Sequence, residues 1–432
     1  MNTLSRRELM KRFGAAGLSM GLFGASKEAW SKTAPHIVIV GGGIGGVSAA
    51  KYLRILDKNV KITIIEPNLE YVFCPGSNEV LNDFVSIEDL TVNYENIKSR
   101  YAVNIVTDLA TDIDYAGKRV KTKANGFISY DKLIVAPGPD YKFGDIEGYS
   151  KQLAEGDFPH AWKAGPQTMK LREQIHNMPK GGVVAISSPP MPYRCPPAPY
   201  ERASFVAEWL SHHNPTAKVL ILDSKNSFTF RKHYIDYWTK KRGFGTKEAM
   251  IEWVPAEKGG RVTQLDAANK TLVTADGERI QADVINIIPA HTAAKFTHDT
   301  GLSQGNEWVP IDPMDYRSMV DDDVYVVGDA TESSPMVKTG YLASNHSKAV
   351  AQSIVNSFAG KPPVQPLYTN NCVALAGEDY GMTITDTFRV QNGKIVKQYG
   401  HQSTELDNDA LHHIRASLAM NWQRAFRRDI FE

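Results

Sequence analysis

Apolar residues in this chain gather into short unbroken runs separated by helical stretches, and they seldom alternate with polar ones. His36-Ile37-Val38-Ile39-Val40 is one such run. A helical segment at 47–56 follows, then a second run, Lys61-Ile62-Thr63-Ile64-Ile65. Continuous runs of this length predict strands buried on both faces, as in a parallel sheet. The same order returns with a strand at 182–187, a helix at about 200–212 and a strand at 219–223. Further strands are predicted at 130–135 and 323–327. Strands alternating with helices make this an α/β chain with two Rossmann-like units.

The turn after the first run reads Gly41-Gly42-Gly43-Ile44-Gly45-Gly46, a G-x-G-x-x-G set between strand and helix. Gly41 permits the tight turn, Gly43 lets the backbone approach a pyrophosphate, and Gly46 lets the helix pack on the sheet. The helix N-terminus adds N–H groups and a partial positive charge for the phosphates. Glu66 closes the second strand, where an acidic side chain accepts hydrogen bonds from an adenosine ribose. Two later segments choose between nicotinamide and flavin. The 130–135 strand runs into Ala136-Pro137-Gly138, which resembles the turn after that strand in two-dinucleotide flavoproteins. The 323–327 strand leads into Gly328-Asp329, and in those flavoproteins the aspartate, here Asp329, holds the ribityl chain. Lys338-Thr339-Gly340-Tyr341 then opens a helix whose N-terminus can stabilise negative charge on a reduced flavin. In this order the segments indicate FAD.

In the second unit the turn after the first strand carries no glycine. Residues 187–199 read SSPPMPYRCPPAP, with prolines at 189, 190, 192, 196, 197 and 199. Prolines fix φ and remove backbone donors, so this loop is unsuited to cradle a pyrophosphate and NAD(P)H is not expected as the electron donor. What the loop presents is Cys195 on a stiff platform. A reactive thiol is one reading and a small buried apolar residue the other. Glu201 starts the following helix, either as a base or as a first-turn glutamate favoured by the helix dipole. Trp162 and Tyr200 could line a substrate path or pack the core. The run 228–233 and Lys240-Lys241-Arg242 read as solvated surface, and the twelve histidines show no metal-ligand spacing. No metal site is expected.

Composition narrows the class. The chain has 432 residues, 49 Lys+Arg against 48 Asp+Glu, and 42% hydrophobic residues, which suits a soluble multidomain protein and argues against nucleic-acid binding. Cys74, Cys195 and Cys372 are too few for a disulfide scaffold, and no CxxCH is present to attach a haem. Ser5-Arg6-Arg7 precedes a weakly apolar stretch at 13–25, too short to span a bilayer, which reads as a twin-arginine export signal removed after Ser31. A bacterial periplasmic location is expected, with no integral membrane segment. An odd number of cysteines in an exported chain then needs a reason.

The chain resembles the flavoprotein subunit of flavocytochrome c sulfide dehydrogenase, with the sulfide:quinone oxidoreductases as wider relatives. The segments that carry the likeness are Tyr71 to Val80 (YVFCPGSNEV), His160 to Thr168 (HAWKAGPQT), Tyr193 to Pro197 running on to Tyr200-Glu201-Arg202, Asn371-Cys372, and the C-terminal stretch from Asp379 to Phe431. The resemblance implies a division into a signal at 1–31, an FAD-binding domain at 32–160 plus 290–362, a second Rossmann-like domain at 161–289, and a C-terminal α+β flavin-binding domain at 363–432. It implies that Cys195 and Cys372 form a redox-active disulfide beside the flavin, with Glu201 relaying a proton. It further implies a thioether from Cys74 to the flavin, sulfide as substrate and a c-type cytochrome subunit as heterodimer partner. A membrane-associated sulfide:quinone oxidoreductase, or an FAD electron-transfer subunit with another substrate, are the alternative readings.

Overall fold

The computed structural model describes residues 34–404 and 407–432; the expected export signal lies outside the described residues. The first apolar runs form β1 (His36–Val40) and β2 (Lys61–Ile65), joined in the same parallel sheet by β3 (Asn104–Val106) and β4 (Lys132–Val135). Ile37, Val38 and Ile39 are fully buried, as the unbroken run requires. Helix α1 (Ile44–Leu56) starts three residues ahead of the expected 47–56 because Gly45 and Gly46 are already helical. A Cβ on Gly46 would lie 1.8 Å from the Gly41 carbonyl oxygen, so only glycine lets this helix sit so close to the turn.

The chain next builds a second sheet. Its strands are β5 (Val183–Ser188), β6 (Lys218–Asp223), β7 (Ile251–Val254) and β8 (Val284–Ile287), all parallel in the order β7-β6-β5-β8. Helix α2 (Ala198–His213) connects β5 to β6 and begins slightly ahead of the expected residue 200. Pro199 lies in its first turn, where a missing N–H goes unused. Helix α3 (Arg231–Arg242) follows β6.

The chain then returns to the first sheet with β9 (Val324–Val326), which pairs with β4 and completes the order β9-β4-β1-β2-β3. Strand order reverses between β1 and β4, the place where an open α/β sheet leaves a ligand crevice at its carboxyl ends. Helix α4 (Gly340–Phe358) packs beside α1. The last segment is an antiparallel sheet, β10 (Leu367–Gly377), β11 (Tyr380–Gln391) and β12 (Lys394–Gln402), covered by α5 (Asp409–Phe431). Phe426, Ile430 and Phe431 of α5 share one core with Ile37 and Ile39 of β1, while Ala374 and Met382 join the core of the second sheet. The fold is α/β, with two Rossmann-like sheets and a C-terminal sheet-and-helix unit lodged against both.

One surface reading is corrected. Phe230 and His233 are buried, and Phe228 stacks on Tyr200 with ring centroids 3.5 Å apart. Only Arg231 and Lys232 of that run face solvent, so the charges concealed an inward aromatic face. Lys240 and Lys241 are exposed, in keeping with the surface reading, and pair with Asp409 and Asp379, while Arg242 is turned in toward Glu208.

Candidate functional site

The crevice between β1 and β4 continues into a cavity of about 530 Å³ that all three structural units line. Every residue marked from the sequence opens onto it except Gly46, whose part is packing, and Tyr200, which is buried outside it. At one end lie Gly41, Gly43 and Glu66, joined by Ala136 and Gly138 of the facing turn. Gly41 has φ of +101°, and a Cβ on it would lie 2.4 Å from the Ala136 carbonyl oxygen. Glu66 accepts from the Gly42 N–H at 2.7 Å and, through its other oxygen, from Asn68. The acid therefore braces the glycine turn while facing the cavity.

Farther along, Asp329 and the start of α4 meet the cavity. Among the described residues no donor reaches the Asp329 carboxylate, although the residue is only 8% exposed. Burial raises its pKa, and Arg194 and Lys338 pull the other way. An orphaned buried carboxylate of this kind suits a hydroxyl-bearing ligand. Thr339 caps α4 by accepting the Leu342 N–H at 3.1 Å, and Gly340 and Tyr341 of the first turn face the cavity. A nineteen-residue helix aimed this way presents positive potential to whatever anion lies there. Orphaned acid, glycine turn and helix end fit FAD residue by residue.

The third end holds the thiols. Cys195 sits at φ +59°, a left-handed conformation that costs a non-glycine residue about 1–2 kcal/mol. Two contacts hold it there. Its N–H donates to the Lys338 carbonyl at 2.9 Å, and Arg194 bridges Lys338 in parallel. Tyr193, Pro196 and Pro197 of the loop are buried and only 190–192 project. Cys372 comes from the middle of β10 and donates to the Asn370 side chain at 3.4 Å, which also accepts from the Thr339 hydroxyl. Burial raises both thiols, Cys195 well above the usual range and Cys372 to about 12. Glu201 and Cys372 add to the rise at Cys195, and Arg194 opposes it. The structure holds all three cysteines as free thiols. Cys74 lies across the cavity, with its sulfur 3.6 Å from the Tyr71 hydroxyl.

Glu201 does more than decorate a first turn. One of its oxygens accepts from Asn78 at 2.9 Å and the other from the Leu375 N–H, also at 2.9 Å, so it ties α2 to the strand that carries Cys372. Burial raises its pKa. Next to Asn78 stands Glu79, a cavity residue missed in the sequence, 6% exposed and pushed by burial and by Glu201 to about 8. Among the described residues the one side chain that hydrogen-bonds to it is Gln423, at 3.3 Å. Arg202, also missed, is buried and donates to Asn78, Asn286 and the carbonyls of His160 and Ala161. The sole trace of either in the sequence was membership of a matched segment. Trp162 lines the cavity, with its indole N–H on the Arg194 carbonyl, whereas Tyr200 is fully buried outside it.

Fold and cavity define a two-dinucleotide-fold flavoprotein with paired thiols at the flavin end. Three family models match in register. Pyridine nucleotide-disulphide oxidoreductase covers residues 35–169, the central region of the sulfide dehydrogenase [flavocytochrome c] flavoprotein chain covers 168–289, and flavocytochrome c sulphide dehydrogenase, flavin-binding, covers 364–431. A sulfide-quinone reductase of Aquifex aeolicus is 24% identical over 392 residues, 85% of this chain and 87% of that protein. The sulfide dehydrogenase [flavocytochrome c] flavoprotein chain of Chlorobaculum thiosulfatiphilum is 54% identical over 45 residues, 10% of this chain and 94% of that sequence. The solved sulfide:quinone oxidoreductase of Aquifex aeolicus shares the fold, with a TM-score of 0.70, 20% identity and 92% of each chain covered. Over these regions the chain is similar to the flavocytochrome c sulfide dehydrogenase flavoprotein chain and to the pyridine nucleotide-disulfide oxidoreductases, and its cofactor is FAD.

Proposed function

We propose that this chain oxidises sulfide to sulfane sulfur through a Cys195–Cys372 disulfide and passes the electrons to a c-type cytochrome subunit. The observation that carries this reading is the meeting of two thiols from distant segments, with Glu201 beside them, at one end of the dinucleotide cavity. Hydrosulfide attacks one sulfur of the oxidised pair, the S–S bond breaks, and the other sulfur leaves as a thiolate. Burial disfavours that anion, so Arg194, which already lowers the pKa of Cys195, supplies the opposing charge. Glu201, its pKa raised by burial, takes the proton of the persulfide. A second hydrosulfide removes the outer sulfur as HSS⁻ and leaves both cysteines as thiolates, and FAD, when bound, would accept the two electrons released as their S–S bond re-forms.

NAD(P)H as electron donor is not part of this reading. In the second unit the acid that ends β6, Asp223, is fully buried and taken up by Tyr200, Trp253 and Lys225. It has no oxygen free for a ribose. The proposal extends to a thioether at Cys74, to export by the twin-arginine route and to a periplasmic location, since the chain carries Arg6-Arg7 ahead of an apolar stretch.

A quinone is the second acceptor to weigh. Ile414 and Leu418 lie one turn apart on α5 with more than half their surface exposed, while Trp422 and Phe426 farther along the helix line the cavity. No helix among the described residues is long and apolar enough to cross a membrane. Anaerobic sulfide titration with cytochrome c and with a soluble quinone separates the two. Faster turnover with cytochrome c is expected, and preference for quinone overturns the assigned acceptor.

A further inference from the structure

Away from the cavity, three side chains from three parts of the fold converge. They are His233 on α3, Asp407 in the turn ahead of α5, and His412 in the first turns of α5. One ligand atom from each lies within 4.8 Å of the other two. Both histidines are buried, at 8% and 2% exposure. Spacing along the sequence gave no hint of the cluster, because His233 is separated from the other two by most of the C-terminal half.

Hydrogen bonds fix what each residue offers. Nε2 of His233 faces the Thr404 carbonyl at 3.2 Å, and Nδ1 of His412 faces the Gly381 carbonyl at 2.9 Å. A carbonyl oxygen only accepts, so each of these nitrogens carries the proton and the other nitrogen of each neutral ring is a bare lone pair. His233 therefore presents Nδ1 and His412 presents Nε2, and among the described residues no donor satisfies either. Asp407 is oriented as firmly. Its Oδ2 accepts from the Thr404 N–H at 2.7 Å and from Arg415, which leaves Oδ1 with only the Thr404 hydroxyl at 3.4 Å.

Ligating imidazoles commonly donate their second N–H to a carbonyl, and ligating carboxylates are themselves hydrogen-bonded. That outer support is complete here for all three groups. We propose that His233, His412 and Asp407 bind a divalent transition-metal ion of the zinc class, through two nitrogens and one oxygen, with a fourth position left to water. Tetrahedral ligands about 2.0–2.1 Å from zinc stand roughly 3.3 Å apart, so small side-chain rotations close the site. Arg415 offsets the carboxylate charge, so selectivity rests on the imidazoles, which favour zinc, copper or nickel over magnesium and calcium. A bound ion would pin α3 of the second unit to the C-terminal unit.

The test uses the full-length flavin-loaded protein, stripped with EDTA and titrated calorimetrically with Zn²⁺ beside His412→Gln and His233→Gln. Wild type should take up one zinc equivalent more than either variant, or bind it at least about tenfold more tightly. Zinc should raise the Tm of wild type alone. Zinc held by the cysteines is common to all three proteins and cancels. Flavin content and spectrum certify the fold; where a histidine variant loses its flavin, Asp407→Asn replaces it in the comparison. Equal zinc uptake and equal Tm shifts in flavin-loaded wild type and variants overturn the proposal. None of the three residues lines the cavity, so either result leaves the proposed sulfide chemistry to its own test.

Discussion

The Tyr200 hydroxyl donates to the Asp223 carboxylate at 2.6 Å, and both residues are fully buried. In the first unit the equivalent acid, Glu66, faces the cavity. Two copies of one motif have thus diverged in the use of a single carboxylate. Anaerobic NADH should leave the flavin absorbance unchanged. Tyr200→Phe should lower stability by about 1.5–3 kcal/mol, the worth of a buried hydrogen bond to a charged group, as read from urea unfolding. Rapid bleaching by NADH would refute the electron-donor assignment.

Replacing Cys195 or Cys372 with serine should abolish sulfide-driven bleaching of the flavin while FAD remains bound. Anaerobic stopped-flow absorbance reads the first, and flavin-to-protein ratio the second. Full bleaching in either variant would rule out the disulfide route. Cys74→Ala should release its flavin into the supernatant on acid precipitation, and retention of flavin in the wild-type pellet is the required contrast.

Gly41→Ala places a methyl group 2.4 Å from the Ala136 carbonyl at a φ of +101° that alanine adopts only under strain. The substitution should leave most of the purified protein without flavin and lower its Tm by several degrees. Wild-type flavin content in this variant would remove the crevice from the cofactor site.

Glu79 is held protonated in the fold, its pKa raised from 4.5 to about 8 by burial first and by Glu201 second. The sign follows from proton count. The folded chain binds the extra proton, so the contribution is fully present below the unfolded pKa and is lost as pH climbs through the folded one. Stability should fall by on the order of a few kcal/mol between about pH 4.5 and pH 8, and Glu79→Gln should flatten much of that decline. Thermal unfolding across this range checks it, and identical slopes for the two proteins would contradict the assignment.

What the sequence made legible is local. The β1 run, the glycine turn, α1, β2 and Glu66 lie within thirty-one consecutive residues, and each is dictated by its neighbours. Asp329 and Gly340 were found because each follows a strand or opens a helix. Nothing local marks Glu79, which looks like any loop carboxylate until α2 and α5 close over it. Arg202 appears as one more basic residue on a helix, and only its four buried acceptors show that it organises the floor of the cavity. The His233 group is illegible for the same reason, since its members meet only through tertiary packing. The 228–233 run failed differently, because two charges outweighed an aromatic face turned inward.

The three cysteines belong to three successive stretches of the chain, and Cys372 is the last to be made. During synthesis the strands and glycine turn of the first sheet emerge before Cys372 and before α5, whose Trp422, Gln423 and Phe426 also line the cavity. The cavity is therefore whole only after α5 has been made.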